Sequence, residues 1–377
     1  MRIAIDGHSI GTALAGNETY SSNLIESLAA IDADNEYTIY VTRSAAVDRL
    51  SGRWPNFKVR RIFPHTPLIR VPLALSIELR RRPVDLLHVQ FTAPPWAPCK
   101  VVATIHDLSY EHLPETFTRR GSFQIRLTTR RTARTADHVI TPSEFSRQDI
   151  VSTYGLAENA VTSIPLAASS ALKPATRTEI DRVRLKYGFR DDPVLCVGSI
   201  QPRKNLVRLI RAYAGLLKDG ADLPQLVLVG KRAWLSAESI SAIRQSGCEG
   251  RVIVTGYVPE EDLAALYSAA KCFIYPSFFE GFGLPLLEAM QCGTPVIAGN
   301  RTSLPEVVGE AGVMVDPLDV SAIAAGLSRV LGDAKLRQEL SLRGLERARQ
   351  FSWRETARRT LDVYQRVMGH ERAAFTE

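Results

Sequence analysis

The stretch Cys272–Ala298, CFIYPSFFEGFGLPLLEAMQCGTPVIA, strongly limits what this chain can fold into. It opens with an apolar run of aromatic and β-branched residues, which predicts a buried strand that a Pro-Ser pair ends. Two glycines precede a predicted short helix over 284–291, and a Gly-Thr-Pro turn separates that helix from a second apolar run. Strand, glycine loop, helix and strand make one βαβ unit, whose first turn lies at the carboxyl end of a parallel sheet.

The glycine loop of this unit is suited to bind phosphate. Its backbone N–H groups and the positive end of the helix dipole both favour an anion. Glu280 stands just before the loop and Glu288 lies in the helix. Because a carboxylate beside a phosphate would repel it, both residues must have another role. We expect Glu288 to accept hydrogen bonds from a ribose diol and Glu280 to meet the hydroxyls of a bound sugar.

Length and composition describe a soluble chain with room for two domains. It has 377 residues, of which 45% are hydrophobic and 23% are charged. No apolar run approaches the roughly 18–20 residues of a membrane-spanning helix, and the start of the chain lacks a signal-peptide pattern. The five cysteines show no C-x-x-C spacing, so we interpret them as reduced thiols of a cytoplasmic protein.

Strands and helices alternate along both halves of the chain, which predicts parallel sheets covered on both faces. The stretch Pro165–Arg177 is rich in Ala, Ser and Pro and has no periodicity, so we interpret it as an interdomain linker. The next predicted element is a strand over Val194–Val197. An Asp32-Ala33-Asp34 triplet has the form of a metal-binding D-x-D motif, but it lies in a helix-to-strand turn and we interpret it as solvated.

Positive charge is concentrated in two windows of the first half. The formal net charge is +7; Arg49–Arg82 holds nine basic residues against one acid, and Arg119–Arg134 holds six arginines and no acid. Such windows favour an acidic partner: anionic lipid, a diphosphate or nucleic acid. Solvated helix faces are the plainer interpretation. Neither window has a recognition motif, so we expect no nucleic acid.

The eleven-residue string from Glu280 to Met290, EGFGLPLLEAM, resembles the E-x7-E signature of retaining GT-B glycosyltransferases, in particular family 4, also called group 1. The resemblance covers nearly the whole chain, from the first strand to Phe351-Ser352-Trp353. It implies an α/β protein of GT-B architecture, with two Rossmann-like domains that face each other across a cleft. The implied acceptor-binding domain spans 1–170, the nucleotide-sugar-binding domain spans 171–353, and the last helix, about 354–377, crosses back onto the first domain.

The resemblance also implies site residues. The turn GSIQPRKN after the strand at 194–197 matches the family's phosphate-binding turn, and His106 matches a histidine that bonds a hydroxyl of the donor sugar. His88, at the end of a neighbouring strand, is a weaker candidate, and Lys231 or Arg232 is a further candidate phosphate contact. The implied catalytic residues are His106, Arg203, Lys204 and Glu280; the implied donor-binding residues are Gly198, Tyr257, Val258, Gly281, Phe282, Gly283, Leu284 and Glu288.

The first loop departs from the family pattern. Gly16-Asn17-Glu18 stands where many relatives have Gly-x-Gly, so that Glu18 replaces the second glycine. A glycine allows close approach of the backbone to a ligand, and a carboxylate there disfavours contact with a diphosphate. We therefore expect Gly16, Asn17 and Glu18 to meet the acceptor.

The implied function is retaining transfer of a hexose from a nucleotide sugar to an acceptor hydroxyl. The motifs QPRKN and GKRAW are similar in style to bacterial mannosyltransferases that use GDP-mannose, and UDP-sugars are the alternative donors. We expect a glycan or polyprenyl-diphosphate-linked acceptor, no metal and no further cofactor, and a cytoplasmic protein that contacts the anionic inner face of the membrane. Another GT-B activity, such as sugar-nucleotide epimerisation, is the remaining alternative.

Overall fold

The chain divides into two units, each built on a parallel β-sheet. The computed structural model describes residues 1–12, 15–233 and 235–369, so the predicted last helix beyond 369 lies outside the described residues. Unit 1 combines Met1–Leu108, Arg120–Leu166 and the segment that begins at Ser352; unit 2 combines Ser109–Arg119 and Ala167–Phe351. The helix that ends the described chain therefore belongs with the first half of the sequence.

Unit 1 contains a sheet of seven parallel strands in the order β3-β2-β1-β4-β5-β6-β7. The central strands are buried along most of their length, as expected where helices cover both faces. The strands are β1 (Arg2–Asp6), β2 (Glu36–Val41), β3 (Phe57–Arg61), β4 (Leu86–Gln90), β5 (Lys100–Thr104), β6 (His138–Thr141) and β7 (Val161–Ser163).

The helices that cover this sheet follow the alternation predicted from the sequence. They are α1 (Ala15–Ile31), α2 (Ser44–Leu50), α3 (Pro67–Ile69), a π-helical turn Arg70–Leu75, α4 (Ser76–Arg81), α6 (Arg119–Thr135) and α7 (Glu144–Tyr154). The short helix α5 (Ser109–His112), which precedes α6 in the chain, belongs to unit 2. Ser143 caps α7 by accepting a hydrogen bond from the Ser146 amide, as its position in the sequence indicates.

Unit 2 contains a sheet of six parallel strands in the order β10-β9-β8-β11-β12-β13. The predicted βαβ unit is confirmed, with β11, α12 and β12 in sequence. The strands are β8 (Val194–Val197), β9 (Leu226–Val229), β10 (Val252–Gly256), β11 (Cys272–Tyr275), β12 (Val296–Gly299) and β13 (Gly312–Val315). The helices are α8 (Arg177–Tyr187), α9 (Leu206–Lys218), α10 (Ala237–Gln245), α11 (Glu260–Ala269), α12 (Leu284–Gln291), α13 (Leu304–Val308), α14 (Val320–Gly332) and α15 (Ala334–Ala348).

Helix α16 (Trp353–Val367) returns to unit 1 and lies against its helix α1. The Thr356 hydroxyl donates to the Pro165 carbonyl at 2.7 Å, and the Arg359 guanidinium donates to the Ser163 carbonyl at 2.7 Å. The Tyr364 hydroxyl lies 2.5 Å from His88 Nδ1 of β4. These hydrogen bonds fix α16 to the end of β7 and to His88 of strand β4.

Two local interpretations of the sequence were incomplete or wrong. Helix α8, which was not predicted, fills the stretch before β8, and a reciprocal capping box between Thr176 and Glu179 starts it. Asp32 is buried rather than solvated: it accepts hydrogen bonds from the Tyr37 hydroxyl at 2.5 Å and from the Asn35 side chain at 2.7 Å. Four bonds in total, two of them from backbone N–H groups, satisfy this carboxylate in a tight turn.

No helix within the described residues is long and apolar enough to cross a membrane. All five cysteines are free, and four of them are buried. No group of three or more His, Cys, Asp or Glu side chains in the described part of the chain is arranged to hold a metal ion.

Candidate active site

The predicted donor residues of unit 2 lie at the carboxyl ends of its parallel strands. Gly198–Lys204 follows β8 and Pro276–Leu284 follows β11, and these two strands are neighbours in the sheet. Strand order reverses at this point, because β9 continues on one side of β8 and β11 begins the other side. Ligands of open parallel sheets bind at such switch points. The two loops are therefore the strongest candidate site of unit 2.

Two glycines allow the loops after β8 and β9 to touch. Gly198 and Gly230 have φ angles of +151° and +147°, which L side chains rarely adopt. A Cβ atom on Gly230 would lie 2.0 Å from the carbonyl oxygen of Gly198, so the space is closed to any side chain. Gly198 therefore has a structural reason to be glycine, and its predicted donor contact remains a prediction.

Arg203 and Lys204 form a short 3-10 turn, Pro202–Lys204, directly before α9. Asn205 follows with a φ of +59° and donates from its side-chain amide to the Pro276 carbonyl at 2.9 Å and to the Pro317 carbonyl at 2.6 Å. This buried asparagine ties the turn after β8 to the loop after β11. The basic pair is consequently held at a fixed place and does not project from the surface.

Glu280 accepts hydrogen bonds from both bases. Lys204 Nζ lies 2.6 Å from Oε1, and Arg203 donates to Oε2 at 3.0 Å and to the Phe279 carbonyl at 2.6 Å. The Ser277 hydroxyl is 2.5 Å from Oε1, and Lys204 also donates to the hydroxyl of Tyr275. The cluster has two positive charges and one negative charge, so it keeps a net positive charge of one.

The pKa of Glu280 depends on burial and on the two bases of this cluster. Burial alone would raise that pKa, but the charges of Arg203 and Lys204 outweigh burial and hold it at about 2. The carboxylate is therefore ionised at neutral pH, and both of its oxygens are engaged. In this arrangement Glu280 is a counter-ion that orders the two bases; its predicted contact with the donor sugar and its catalytic role stay predictions.

The loop between Glu280 and α12 is partly enclosed. Phe282 is buried and packs edge-on against Phe351, with ring centroids 5.8 Å apart. Gly283 has a φ of +101°, and a Cβ atom there would lie 2.6 Å from a methyl group of Leu304. Leu284 begins α12 directly afterwards. The structure thus brings the four predicted donor-loop residues, Gly281 to Leu284, into one tight turn at the start of that helix.

Glu288 lies one helical turn further along α12, beside α11. Its Oε2 accepts a hydrogen bond from the Tyr267 hydroxyl at 2.7 Å. Burial raises the pKa of Glu288 to about 7, and the bond from Tyr267 opposes that rise. A half-buried carboxyl group with so high a pKa and one hydrogen bond is unusual for a purely structural residue and is typical of functional sites.

Tyr257 and Val258 follow β10 and differ in exposure. Tyr257 is 59% exposed, and Lys231 Nζ, after β9, lies 4.5 Å from the centre of its ring. Val258 is buried. Tyr257 is thus not a core residue, and the predicted contact of Tyr257 and Val258 with the donor stays a prediction.

Unit 1 contains the remaining predicted site residues. His106 follows β5, and burial lowers its pKa to about 4. His88 is fully enclosed, between the hydroxyls of Tyr364 and Thr104, which indicates a structural role. Of the first-loop residues Gly16, Asn17 and Glu18, the last accepts a hydrogen bond from the Gly11 amide at 2.8 Å. That bond shows how a carboxylate is accommodated where many relatives have glycine.

A cavity of about 630 Å³ lies elsewhere in unit 2. Its wall includes residues that precede β8, β9, β10 and β11, so it opens at the amino ends of the strands, opposite the candidate site. Five basic residues and three aspartates line it, and Arg184 forms ion pairs with Asp181 and Asp192. Because the predicted donor residues lie at the opposite edge of the sheet, we place the active site at the carboxyl ends of the strands.

The structure therefore unites Gly198, Arg203, Lys204 and Glu280 in one cluster and places Glu288 with Tyr267 on the helix that follows. Sequence reasoning missed Tyr275, Ser277 and Tyr267, which bond to these residues. The sequence indicates Tyr275 and Ser277 only by their position between the end of β11 and the glycine loop. Nothing in the sequence around Tyr267 indicates a role in the site.

Two parallel-sheet units with the polar residues at the strand ends define a GT-B fold of the glycosyltransferase type. The model of the family "Glycosyl transferases group 1" matches residues 179–347, and that of "Glycosyltransferase Family 4" matches residues 15–168. O-antigen chain mannosyltransferase B of Escherichia coli is 38% identical over 266 residues, 70% of each chain. The chain belongs to the group 1, family 4 glycosyltransferases.

For two other relatives, the matched region is a larger share of this chain than of the relative itself. The serotype-specific mannosyltransferase WbdA of Escherichia coli is 33% identical over 62% of this chain. The matched region is only 29% of the length of WbdA. D-inositol 3-phosphate glycosyltransferase of a Nocardioides species is 33% identical over 63% of this chain and 56% of its own.

Solved structures share the fold at lower identity. Sucrose-phosphate synthase from Thermosynechococcus elongatus has a TM-score of 0.78 and 22% identity. The match covers 98% of this chain and 100% of the synthase chain. The Anabaena protein HepE, crystallised with UDP-glucose, has a TM-score of 0.75 and 19% identity, over 97% of this chain and all of its own.

Proposed function

We propose that this glycosyltransferase moves mannose from GDP-mannose to a hydroxyl group of a glycan or lipid-linked acceptor, with retention of configuration and without a metal. The cluster of Arg203, Lys204 and Glu280 at the end of β8 carries the proposal. Its two bases are fixed in place before any ligand arrives, as stabilisation of a leaving diphosphate requires. The names of two relatives favour mannose as the sugar.

The proposed roles follow from the chemistry of each group. As the bond between sugar and diphosphate breaks, negative charge grows on the leaving oxygen, and Arg203 and Lys204 stabilise it. Glu288 accepts hydrogen bonds from the ribose hydroxyls, and the turn Gly281–Leu284 holds the sugar. The acceptor hydroxyl attacks from the face that the diphosphate leaves, and its proton passes to the departing phosphate oxygen. Retention rests on the resemblance of the Glu280–Met290 string to the signature of retaining enzymes.

Nucleotide binding provides the first test of the donor. In a thermal-shift panel of GDP, UDP, ADP and TDP, we expect GDP to stabilise the protein by about 2.7 kcal/mol at about a hundred times its Kd. Glu288→Ala should lose this stabilisation, and Glu310→Ala, which removes an exposed carboxylate of the same unit, should keep it. Stabilisation by UDP alone would favour the UDP-sugar alternative, as in the Anabaena protein. No stabilisation by any of the four would contradict the proposal.

An anionic membrane is the proposed location of the acceptor. On α3, the π-helical turn and α4, Ile69, Leu73 and Ile77 recur at every fourth residue and are exposed, and three arginines follow at 80–82. On α6, Phe123 and Leu127 are 71% and 62% exposed, in one of the basic windows. Apolar side chains flanked by arginines are typical of helices that lie on anionic lipid, where each basic residue contributes about 1 kcal/mol.

We expect the protein to sediment with vesicles of phosphatidylglycerol at low salt and to be released as salt rises, with little binding to phosphatidylcholine. Leu73→Ser and Phe123→Ser should weaken binding, because each removes an apolar side chain that would enter the lipid. Leu185→Ser removes a still more exposed leucine from unit 2 and should bind like the wild type. Equal binding of all three variants, or none by the wild type, would contradict membrane contact.

A further inference from the structure

A chain of hydrogen bonds runs from the ring of His106 into unit 1. His106 Nε2 lies 2.9 Å from Oε1 of Gln90, the buried last residue of β4. Gln90 Nε2 lies 2.6 Å from the hydroxyl of Ser21 on α1, and that hydroxyl lies 2.9 Å from the hydroxyl of Ser9. The Ser9 hydroxyl donates to the Asn17 carbonyl at 3.0 Å. His106 is thus linked to the backbone of α1 through three side chains.

The carbonyl at the end of this chain determines the direction of every bond in it. A carbonyl oxygen can only accept, so Ser9 uses its single hydroxyl proton on Asn17. Ser9 must then accept from Ser21, and Ser21 in turn accepts from the amide nitrogen of Gln90. This bonding pattern assigns the orientation of the Gln90 amide, with its oxygen toward His106. Because that oxygen cannot donate, the proton lies on Nε2 of the histidine.

The ring of His106 is consequently a hydrogen-bond acceptor at its other nitrogen. A neutral imidazole carries one proton, so Nδ1 keeps its lone pair when Nε2 is protonated. Burial lowers the pKa of His106 to about 4, against a smaller opposite effect of Asp107, and the ring stays neutral at pH 7. Tyr20 and Phe91 pack edge-on against it, with ring centroids at 4.8 Å and 5.5 Å. These two aromatic rings limit rotation of the imidazole.

We propose that Gln90 is a positioning residue that holds His106 as the Nε2–H tautomer, so that Nδ1 accepts a hydrogen bond from a hydroxyl group of the donor sugar. The inference rests on the proposed function for the identity of that hydroxyl, but the tautomer is a property of the free protein. It restricts His106 to a neutral acceptor and excludes it as a general acid. Gln90 and Ser21 thereby join the set of residues that determine how the sugar is held.

Nuclear magnetic resonance of the protein with 15N-labelled histidine tests the tautomer without any donor. We expect the two-bond correlations of the His106 ring to show a protonated Nε2 and an unprotonated Nδ1 at pH 7, with His106→Asn providing the assignment. Gln90→Leu removes the acceptor and should give a mixture of tautomers. Gln148→Leu changes an exposed glutamine of the same unit and should leave the pattern intact. A protonated Nδ1 in the wild type would overturn the proposal.

Gln90→Glu tests the role in transfer. A carboxylate beside the ring stabilises the imidazolium, so the pKa of His106 should rise. Below the raised pKa, Nδ1 carries a proton and cannot accept, so kcat should fall as the pH is lowered, while the wild-type profile stays flat there. Gln90→Leu should lower kcat by about tenfold, as expected from loss of one orienting hydrogen bond. A raised pKa of His106 together with an unchanged pH profile of kcat would overturn the positioning role of Gln90. A protein that transfers sugar from no nucleotide sugar would instead count against the proposed function, and the tautomer measured by NMR would still hold.

Discussion

Replacement of Lys204 by methionine should lower kcat by about 10²–10³-fold while the protein stays folded. The expected loss is that of one donor aimed at a developing negative charge. Methionine fills a similar volume in a residue that is only 9% exposed, so packing is largely kept. Glu280 retains Arg203 and Ser277 as partners and is not left as an isolated buried charge. The effect should therefore appear in the rate rather than in the midpoint of thermal unfolding.

Two further variants separate the loss of chemistry from a loss of stability. The double variant Lys204→Met with Glu280→Gln removes the base together with its counter-ion, which lowers the cost of a buried unpaired charge. It should also lose its rate. Lys218→Ala, at the exposed end of α9, should transfer sugar like the wild type. A rate near that of the wild type for either folded Lys204 variant would refute the role of the cluster.

Since the positive charge comes from side chains, EDTA should leave wild-type turnover unchanged. Loss of turnover in EDTA would contradict metal independence.

The affinity for GDP-mannose should rise by about tenfold between pH 6 and pH 8. Glu288 has a pKa of about 7 because of its burial, partly opposed by the bond from Tyr267 and supported by the charge of Glu260. Cys292 directly follows this helix, and burial together with the charge of Glu288 raises its pKa. Only the ionised carboxylate accepts from both ribose hydroxyls, so the binding site forms fully above the pKa. GDP-mannose is the suitable probe because its diphosphate, esterified at both ends, does not titrate in this range.

The stability of the unliganded protein should change in the opposite direction. The pKa of Glu288 in the folded state lies above its ordinary value of 4.5, so the folded protein holds this proton more tightly than the unfolded chain. Relative to Glu288→Gln, the wild-type free energy of unfolding should therefore fall as pH rises from about 4.5 to about 7. Glu288→Gln should show weak, pH-independent binding. Tyr267→Phe should move the rise in affinity to higher pH, and an unmoved profile would contradict the assignment of the titrating group to Glu288.

Much of the architecture could be predicted because its signals are local. The run Cys272–Tyr275, the glycines after it and the Gly-Thr-Pro turn identified β11, α12 and β12 with nearly the correct bounds. Helix α8 was missed because six of its eleven residues are charged, and its start depends on a capping box that a search for apolar periodicity does not detect. Asp32 was assigned to solvent because a turn of two acids and an asparagine has the composition of a surface loop.

The partners of the site residues could not be predicted in the same way. Arg203, Lys204 and Glu280 were each identified from their motifs, but their mutual ion pairs join loops about 76 residues apart in sequence. Tyr267 and Gln90 belong to no motif, and they matter only because the fold places a hydroxyl beside Glu288 and an amide beside His106. Spacing within a motif indicates which side chains face a ligand. What those side chains bond to on the protein side depends on packing between distant elements.

The return of α16 to unit 1 has a consequence for the order in which the nascent chain can mature. Residues 167–351 leave the ribosome between the rest of unit 1 and the segment that begins at Ser352. At roughly 5–20 residues per second, synthesis of this segment takes roughly 10–40 seconds, and α1 and His88 lack the helix that covers them for at least that time. All residues of unit 2 are available earlier than α16. The unit whose synthesis starts first is therefore completed last, and a chaperone that shields its uncovered apolar face during this interval would raise the yield of folded enzyme.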